Sequence, residues 1–348
     1  MTDEVNKDNR QNKVLLVIPY IGQLSNFEQF SILTLSRSRI VEIALVLSDV
    51  EQISADIKSK HNIHVYDIEV VFNRENSIIK LNDLMANPYK LTDMKIFHKC
   101  LFSIDFDSYA AFGFCDVDCM YNPEVIDDKL KGLFSSIGNQ MIGGDRGHLM
   151  VFGREAYSLM VKVMLAARQV IIKRKNVDIF HSSHHFALDE FLFLHRVLTT
   201  LSELGLVAWQ PSFFRPILDL SYKRVNPQVS ETRLKFRLSE NAIYEGLEVS
   251  DLGYIHFQKR YIRDVEQPAD YFNKYCFVDS FGNIAFTTEA VDFCTNRATK
   301  PTKLAYFWGG YVIPRLRDRY RNHGCLPKLQ LTQQDIRESL KMARIDEN

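Results

Sequence analysis

Two aspartates, Asp116 and Asp118, stand one residue apart directly after the apolar run YAAFGFC at 109–115. Carboxylates so spaced on extended chain can share one hard divalent cation, Mg²⁺ or Mn²⁺, an ion bound by a few carboxylates together with substrate phosphate oxygens. The same three residues would also make an ordinary turn after a strand, and the spacing alone leaves both readings open. A second pair, Asp105 and Asp107, precedes the same run. It belongs at the opposite sheet edge and reads as solvated turn chemistry. Late in the chain, Ile255-His256-Phe257-Gln258-Lys259-Arg260 puts an imidazole and two cations at the end of a predicted strand. Such a cluster could finish a metal shell and neutralise a diphosphate, or it could be an edge strand with exposed charges.

Other residues offer chemistry with less definition. Asp189-Glu190 sits inside the apolar helical stretch 186–194. Carboxylates there are costly to bury unpaired, so they face either solvent or a site. The preceding HSSHH (181–185) has the residue type of a zinc site, yet no HExxH or cysteine partner accompanies it, and it reads as a loop or helix start. Pro19-Tyr20-Ile21-Gly22 ends the first strand. Gly22 would allow close backbone approach to a ligand and Tyr20 could stack on a base; the alternative is a plain strand-to-helix turn. In Tyr89–Lys95, Thr92 or Asp93 is the expected N-cap of a helix, with Lys90 and Lys95 in reach of phosphate.

These residues need elements to hold them. VLLVIPY (14–20) and VEIALVLSD (41–49) are apolar runs of strand length, the second ending in Asp49. Runs of this kind suit strands covered on both faces. Helical stretches at about 27–36, 94–102, 124–136, 154–175 and 186–204 alternate with strand stretches at 64–71, 109–115, 141–153 and 205–260. The alternation predicts an α/β protein, a mostly parallel sheet flanked by helices. We expect a disordered tail over 1–12, a catalytic domain over 13–262 and an aromatic, basic, helical C-terminal extension over 263–348.

Composition bounds the function. In 348 residues, 43 Lys and Arg balance 43 Asp and Glu, which excludes a protein that holds nucleic acid by bulk charge. Six cysteines without a CxxC pair argue against a disulfide scaffold and for a reducing compartment. The polar N-terminus lacks the apolar core of a signal peptide, and no apolar run approaches the ~18 residues of a membrane span. The expectation is a soluble, cytoplasmic protein. Peripheral contact with the inner face of a membrane through 305–321 is a further expectation, because AYFWGGYVIP there precedes Arg315, Arg317, Arg319 and Arg321.

In order, VIPYIG (17–22), LSD (47–49), NPYKLTDMK (87–95), FGFCDVD (112–118), GHLMVFGRE (147–155), FALDE (186–190) and YIHFQKR (254–260) resemble a family of GT-A-type glycosyltransferases encoded in bacterial capsule and lipopolysaccharide gene clusters. The resemblance covers about 14–262, with Ile21, Ser48 and Ile96 departing from the family's pattern. It implies a GT-A-like (Rossmann-like) fold and hexosyl transfer from a nucleotide-sugar donor, most often UDP-linked, to a saccharide or lipid-linked acceptor. It implies Mn²⁺ or Mg²⁺ held by Asp116, Asp118 and His256, and Lys259 on the donor phosphate. It also implies Tyr20, Gly22 and Asp49 on base and ribose, Lys90, Asp93 and Lys95 lining the donor, and His148 near the acceptor. Asp189 or Glu190 would contact the sugar or act as base. The competing readings are a metal-dependent nucleotidyl or phosphoryl transferase and a non-catalytic sugar-binding protein on a degenerate transferase fold. A P-loop enzyme is out, since no GxxxxGK[ST] occurs.

Overall fold

The almost wholly apolar run Val14–Tyr20 forms strand β1 at the centre of a sheet, with residues pointing alternately to two cores. Leu15 and Val17 enter one core, while Val14, Leu16 and Ile18 enter the other. Strand β2 (Val41–Leu47) divides its side chains in the same way, so both faces of the sheet must be covered. The structure, a computed structural model, describes residues 10–136, 138–144, 147–180, 188, 193–211, 213–219, 224–225, 233–237, 252–256, 275–279, 284–287 and 331–345.

The remaining strands are β3 (Ile63–Asp67), β4 (Ala111–Cys115), β5 (Cys119–Tyr121), β6 (Met141–Gly143), β7 (Leu149–Gly153), β8 (Ala208–Gln210), β9 (Arg215–Asp219), β10 (Arg224–Val225), β11 (Arg233–Arg237), β12 (Leu252–His256), β13 (Tyr275–Asp279) and β14 (Ile284–Thr287). The main sheet has 7 strands in the order β3-β2-β1-β4-β7-β6-β8. Only β7 runs against its neighbours. A second sheet is ordered β10-β9-β12-β5 and a third β11-β13-β14. The longer helices are α1 (Asn26–Leu35), α2 (Pro123–Ser136), α3 (Arg154–Lys175), α4 (Leu194–Glu203) and α5 (Gln333–Met342). Apolar residues of α1 and α2 fill one core; those of α3, α4 and α5 fill the other. This is an α/β, Rossmann-like architecture: a mostly parallel mixed sheet flanked by helices. Among the described residues, no helix is long and apolar enough to cross a membrane.

Several expected boundaries change. The stretch 94–102 is not one helix but a 3-10 turn, Lys95–Phe97, followed by a single α-turn, His98–Leu101. Its apolar residues are still buried, since Met94, Phe97 and Leu101 lie in the α3-side core. The expected helix over 186–204 is described as a helix only from Leu194. Residues 10–12 of the expected disordered tail form a turn, and Arg10 lies over the Tyr109 ring with its guanidinium 3.7 Å from Glu42. The C-terminal segment also contributes to the main core, because Leu331, Ile336 and Leu340 join the α3-side cluster. Residues 275–279 and 284–287 of that segment, expected to be helical, are instead strands β13 and β14, with β13 paired between β14 and β11 (Arg233–Arg237), and 305–321 lies outside the described residues.

Candidate functional site

In an open α/β sheet, ligands bind beyond the carboxyl ends of the strands where the strand order reverses. Here the chain runs outward from β1 through β2 to β3 and then returns to the other side of β1 as β4. The reversal lies between β1 and β4, and the segments leaving these strands carry Tyr20–Gly22 and Asp116–Asp118.

Two pairings bring distant residues to the aspartates. Because β7 is antiparallel to β4, the start of β7 abuts the end of β4, and the Asp116 amide donates to the His148 carbonyl at 2.9 Å. Strand β5 begins just after Asp118 and pairs with β12, with Cys119 opposite His256. That register sets His256 Nε2 3.5 Å from Asp118 Oδ1. The α1 helix fixes β5 from the other side: Ser31 donates to the Cys119 carbonyl, and the Tyr121 amide donates to Thr34 Oγ1 at 3.1 Å.

The cluster is tight. The His148 and His256 rings stack with centroids 3.6 Å apart and planes 33° apart. One ligand atom each of Asp116, His148 and His256 lies within 4.8 Å of the others; Asp118, Cys119 and His256 form a second such group. His256 is buried, whereas the two aspartate side chains remain 26% and 20% exposed, so the carboxylates can meet an incoming group. The Lys95 ammonium donates to Asp116 Oδ1 at 2.6 Å and to the Gly147 carbonyl at 2.8 Å, and it lies 5.6 Å from the centroid of the Phe114 ring. The Tyr121 hydroxyl donates to the backbone carbonyls of Asp116 at 2.6 Å and His148 at 3.2 Å.

On the β1 side, Gly22 has φ +119°, a conformation that disfavours any side chain. Its amide donates to Ser48 Oγ at 3.1 Å, and Gln52 Nε2 donates to the carbonyls of Gly22 at 3.0 Å and Asp49 at 2.7 Å. The loops after β1 and β2 are thereby latched together. Asp49 is exposed and accepts from the Glu51 amide at 3.0 Å. Tyr20 donates to Glu28 Oε1 at 3.1 Å. Burial holds its hydroxyl well above the usual tyrosine range, and the carboxylates of Glu28 and Asp118 push the same way.

Lys90 and Asp93 do not fit the expected donor lining. Both are fully buried, pair at 2.8 Å and sit inside the fold. Burial pulls the lysine down from its usual range and the carboxylate opposes that, as a buried ion pair requires. Lys90 also donates to the Ile179 carbonyl at 2.6 Å, and Asp93 accepts from the Leu188 amide at 2.9 Å. The pair therefore braces the chain next to Asp189-Glu190. Neither Thr92 nor Asp93 caps a helix: Thr92 donates to the Tyr89 carbonyl at 2.8 Å, and the turn Lys90–Asp93 has no side-chain cap. His148, expected toward the acceptor, lies against His256. Asp189, Glu190, Lys259 and the HSSHH tract lie outside the described residues.

Asp105 and Asp107 behave as turn residues. Asp105 accepts from Ser108 Oγ at 2.5 Å, and the exposed Asp107 pairs with Lys99 at 2.5 Å. Sequence reading missed Glu28, Gln52, Tyr121 and Tyr254. Only Glu28 left a signal, as the fourth residue of the capping box that Ser25 opens.

A family model of a "family of unknown function (DUF6625)" matches residues 16–282. The chain belongs to that family. The matched span contains every candidate site residue from Tyr20 to Lys259, including β12, the strand that delivers His256. No curated protein matches the chain.

Proposed function

We propose that this DUF6625 member is a metal-dependent glycosyltransferase that moves a sugar from a nucleotide-sugar donor, UDP-linked, to a saccharide or lipid-linked acceptor in bacterial surface polysaccharide synthesis. The observation that carries the reading is the meeting of Asp116, Asp118 and His256 beyond the carboxyl end of β4, beside the latched Tyr20–Gly22 loop. Oxygen and imidazole donors in one partly exposed cluster fit a divalent ion of the Mn²⁺ type. Bound there, such an ion would neutralise the diphosphate leaving group as the sugar bond breaks.

The chain's own groups have separate tasks in this reading. Lys95 holds Asp116 in place and offsets its charge. The backbone of Gly22, free of a side chain, lets a nucleoside approach, with Tyr20 and Asp49 beside it. The buried Lys90–Asp93 pair fixes the chain that leads into Asp189-Glu190, the candidates for sugar contact or general base. Incubation with Mn²⁺ and a panel of nucleotide sugars tests the proposal. Free UDP should appear from one donor and disappear with EDTA or in Asp118→Asn. Nucleotidyl transfer in place of UDP release, or tight donor binding without turnover across acceptors, would overturn it.

We also propose that the protein acts in the cytoplasm at the membrane's inner face, where a lipid-linked acceptor would reside. The support is in the sequence, where Ala305–Pro314 is followed by Arg315, Arg317, Arg319 and Arg321. Each cation adds roughly 1 kcal/mol at an anionic surface. Flotation with anionic vesicles should be lost when these four arginines are replaced by glutamine; unchanged flotation sinks the idea.

A further inference from the structure

We propose that His148 is a ligand of the same ion as His256, so that the centre holds two imidazoles and two carboxylates and selects Mn²⁺ over Mg²⁺. The inference rests on the metal part of the reading above and not on sugar transfer. By sequence alone His148 is placed near the acceptor and not on the metal; the case comes from how β7 and β12 converge.

Geometry is the first argument. Ligands of these types sit about 2.1 Å from a small divalent ion, so two of them on opposite sides are ~4.2 Å apart. The ligand atoms of Asp116, His148 and His256 are already within 4.8 Å of one another. An ion placed among them would draw these atoms together by side-chain rotation, the backbone staying where β4, β7 and β12 hold it. His256 Nε2 and Asp118 Oδ1, 3.5 Å apart, have the spacing of neighbouring ligands. Lys95 holds Asp116 by Oδ1 and so fixes the carboxylate at the cluster.

Support around the ring is the second argument. Metal-bound histidines commonly spend the other ring nitrogen on an orienting partner. The Tyr254 hydroxyl lies 3.5 Å from His148 Nδ1, and Tyr254 is fully buried. This arrangement orients the His148 ring from its Nδ1 side. Tyr254 is in β12 two residues before His256, so one strand supplies both a ligand and the partner of another. The His148 carbonyl is fixed separately, by the Asp116 amide and the Tyr121 hydroxyl. Its backbone is therefore held whatever the side chain is.

Selectivity follows from ligand type. Mg²⁺ prefers oxygen ligands and keeps its waters, whereas imidazole suits the transition metals. One imidazole biases the site, and a second makes Mg²⁺ a poor substitute.

The test uses the full chain and Mn²⁺ as probe, alone and then with UDP. Free Mn²⁺ is followed by electron paramagnetic resonance, with Mg²⁺ as competitor. His148→Gln should bind Mn²⁺ about 10–100-fold more weakly and narrow the Mn²⁺/Mg²⁺ gap, while melting with the parent in EDTA. Pulsed resonance should find nitrogen couplings from two imidazoles in the parent and from one in His148→Gln or His256→Gln. If His148→Gln does not fold, the parent's count decides alone. One imidazole or none in the parent, with and without UDP, overturns the inference, as does unchanged Mn²⁺ affinity in His148→Gln. A thiolate absorption band with Co²⁺ would put Cys119 in the shell and also overturn it. Two imidazoles in a protein that transfers no sugar would leave this inference standing and remove the transferase reading. Turnover with one imidazole would do the reverse.

Discussion

Asp116 and Asp118 share a motif but not an environment. Asp116 has an ammonium on Oδ1 and its amide on the His148 carbonyl, whereas Asp118 faces His256. Removing charge from either should therefore fail differently. Asp118→Asn takes a ligand from an ion with few protein ligands and should lower turnover by at least ~10²-fold with little change in melting. Asp116→Asn also leaves the Lys95 ammonium buried without its carboxylate, so it should cost stability as well, on the order of 1–3 kcal/mol. Asp105→Asn should leave turnover alone, because its partner is Ser108 at the far end of β4. Steady-state UDP release and thermal melting on the same variants check all three; loss of turnover in Asp105→Asn would mean that the edge assignment is wrong. The aspartates were legible because a motif after an apolar run is local. The Lys90–Asp93 brace was not, because Lys90 reads as a phosphate contact until the fold shows it buried. The stacking of His148 on His256 depends on two strand registers, β4 with β7 and β5 with β12, and no spacing in the sequence encodes either.

At the scale of elements, β4 is where packing and site meet. Gly113 sits three residues before Asp116, and a Cβ there would run into the Met150 carbonyl of β7 and crowd Leu16. Backbone cannot yield as a flexible side chain does, so Gly113→Ala should push β7 from β4 and loosen the Asp116–His148 bond. The expected outcome is a loss of several kcal/mol in unfolding free energy. A variant that melts with the parent would show that the strands are less closely apposed. The opposite end of the sheet carries a different constraint. Glu42 in β2 is buried and accepts from Lys13 at 2.7 Å, His64 at 3.0 Å and Tyr109 at 2.7 Å. Burial alone would raise its carboxyl, but these three hydrogen bonds outweigh it and lower it from 4.5 to about 2. A lowered carboxyl stabilises the fold above its unfolded value and loses that stabilisation as pH falls toward the folded value. The contribution is about 3 kcal/mol, of which about 2 kcal/mol is gone by pH 3. Urea unfolding at pH 6 and pH 3 should show a smaller acid loss in Glu42→Gln than in the parent; parallel losses would remove Glu42 from the acid response. The strands themselves were readable in advance, since β1 matches its apolar run residue for residue. The break at 94–102 was not, because the apolar pattern is the same for a 3-10 turn and an α-turn.

At the scale of the molecule, the question is whether the C-terminus is an appendage or part of the domain. Sequence composition separated it at about 262, since the aromatic and basic residues beyond differ from the α/β pattern before them. Helix α5 bears on that boundary. Its capping box, Thr332 with Asp335, fixes where it begins. Leu331, Ile336 and Leu340 are then buried in the same core as α3 and α4. Arg174 at the end of α3 reaches Asp335 at 2.5 Å and also Glu338, and Arg196 of α4 donates to the Leu331 carbonyl at 2.7 Å. That core continues through Met150 and Phe152 of β7, the strand that His148 precedes. Loss of α5 should therefore be felt at the site and not only at the surface. Leu340→Ala, which removes a fully buried side chain, should cost about 2–5 kcal/mol. Arg174→Ala, which removes two partly exposed ion pairs, should cost less, ~2 kcal/mol or below. Deletion of everything after residue 330 should lower the melting temperature further than either and weaken Mn²⁺ binding, although it removes no candidate ligand. A deletion variant that melts with the parent and binds Mn²⁺ equally well would make α5 a passenger and restore the boundary at 262.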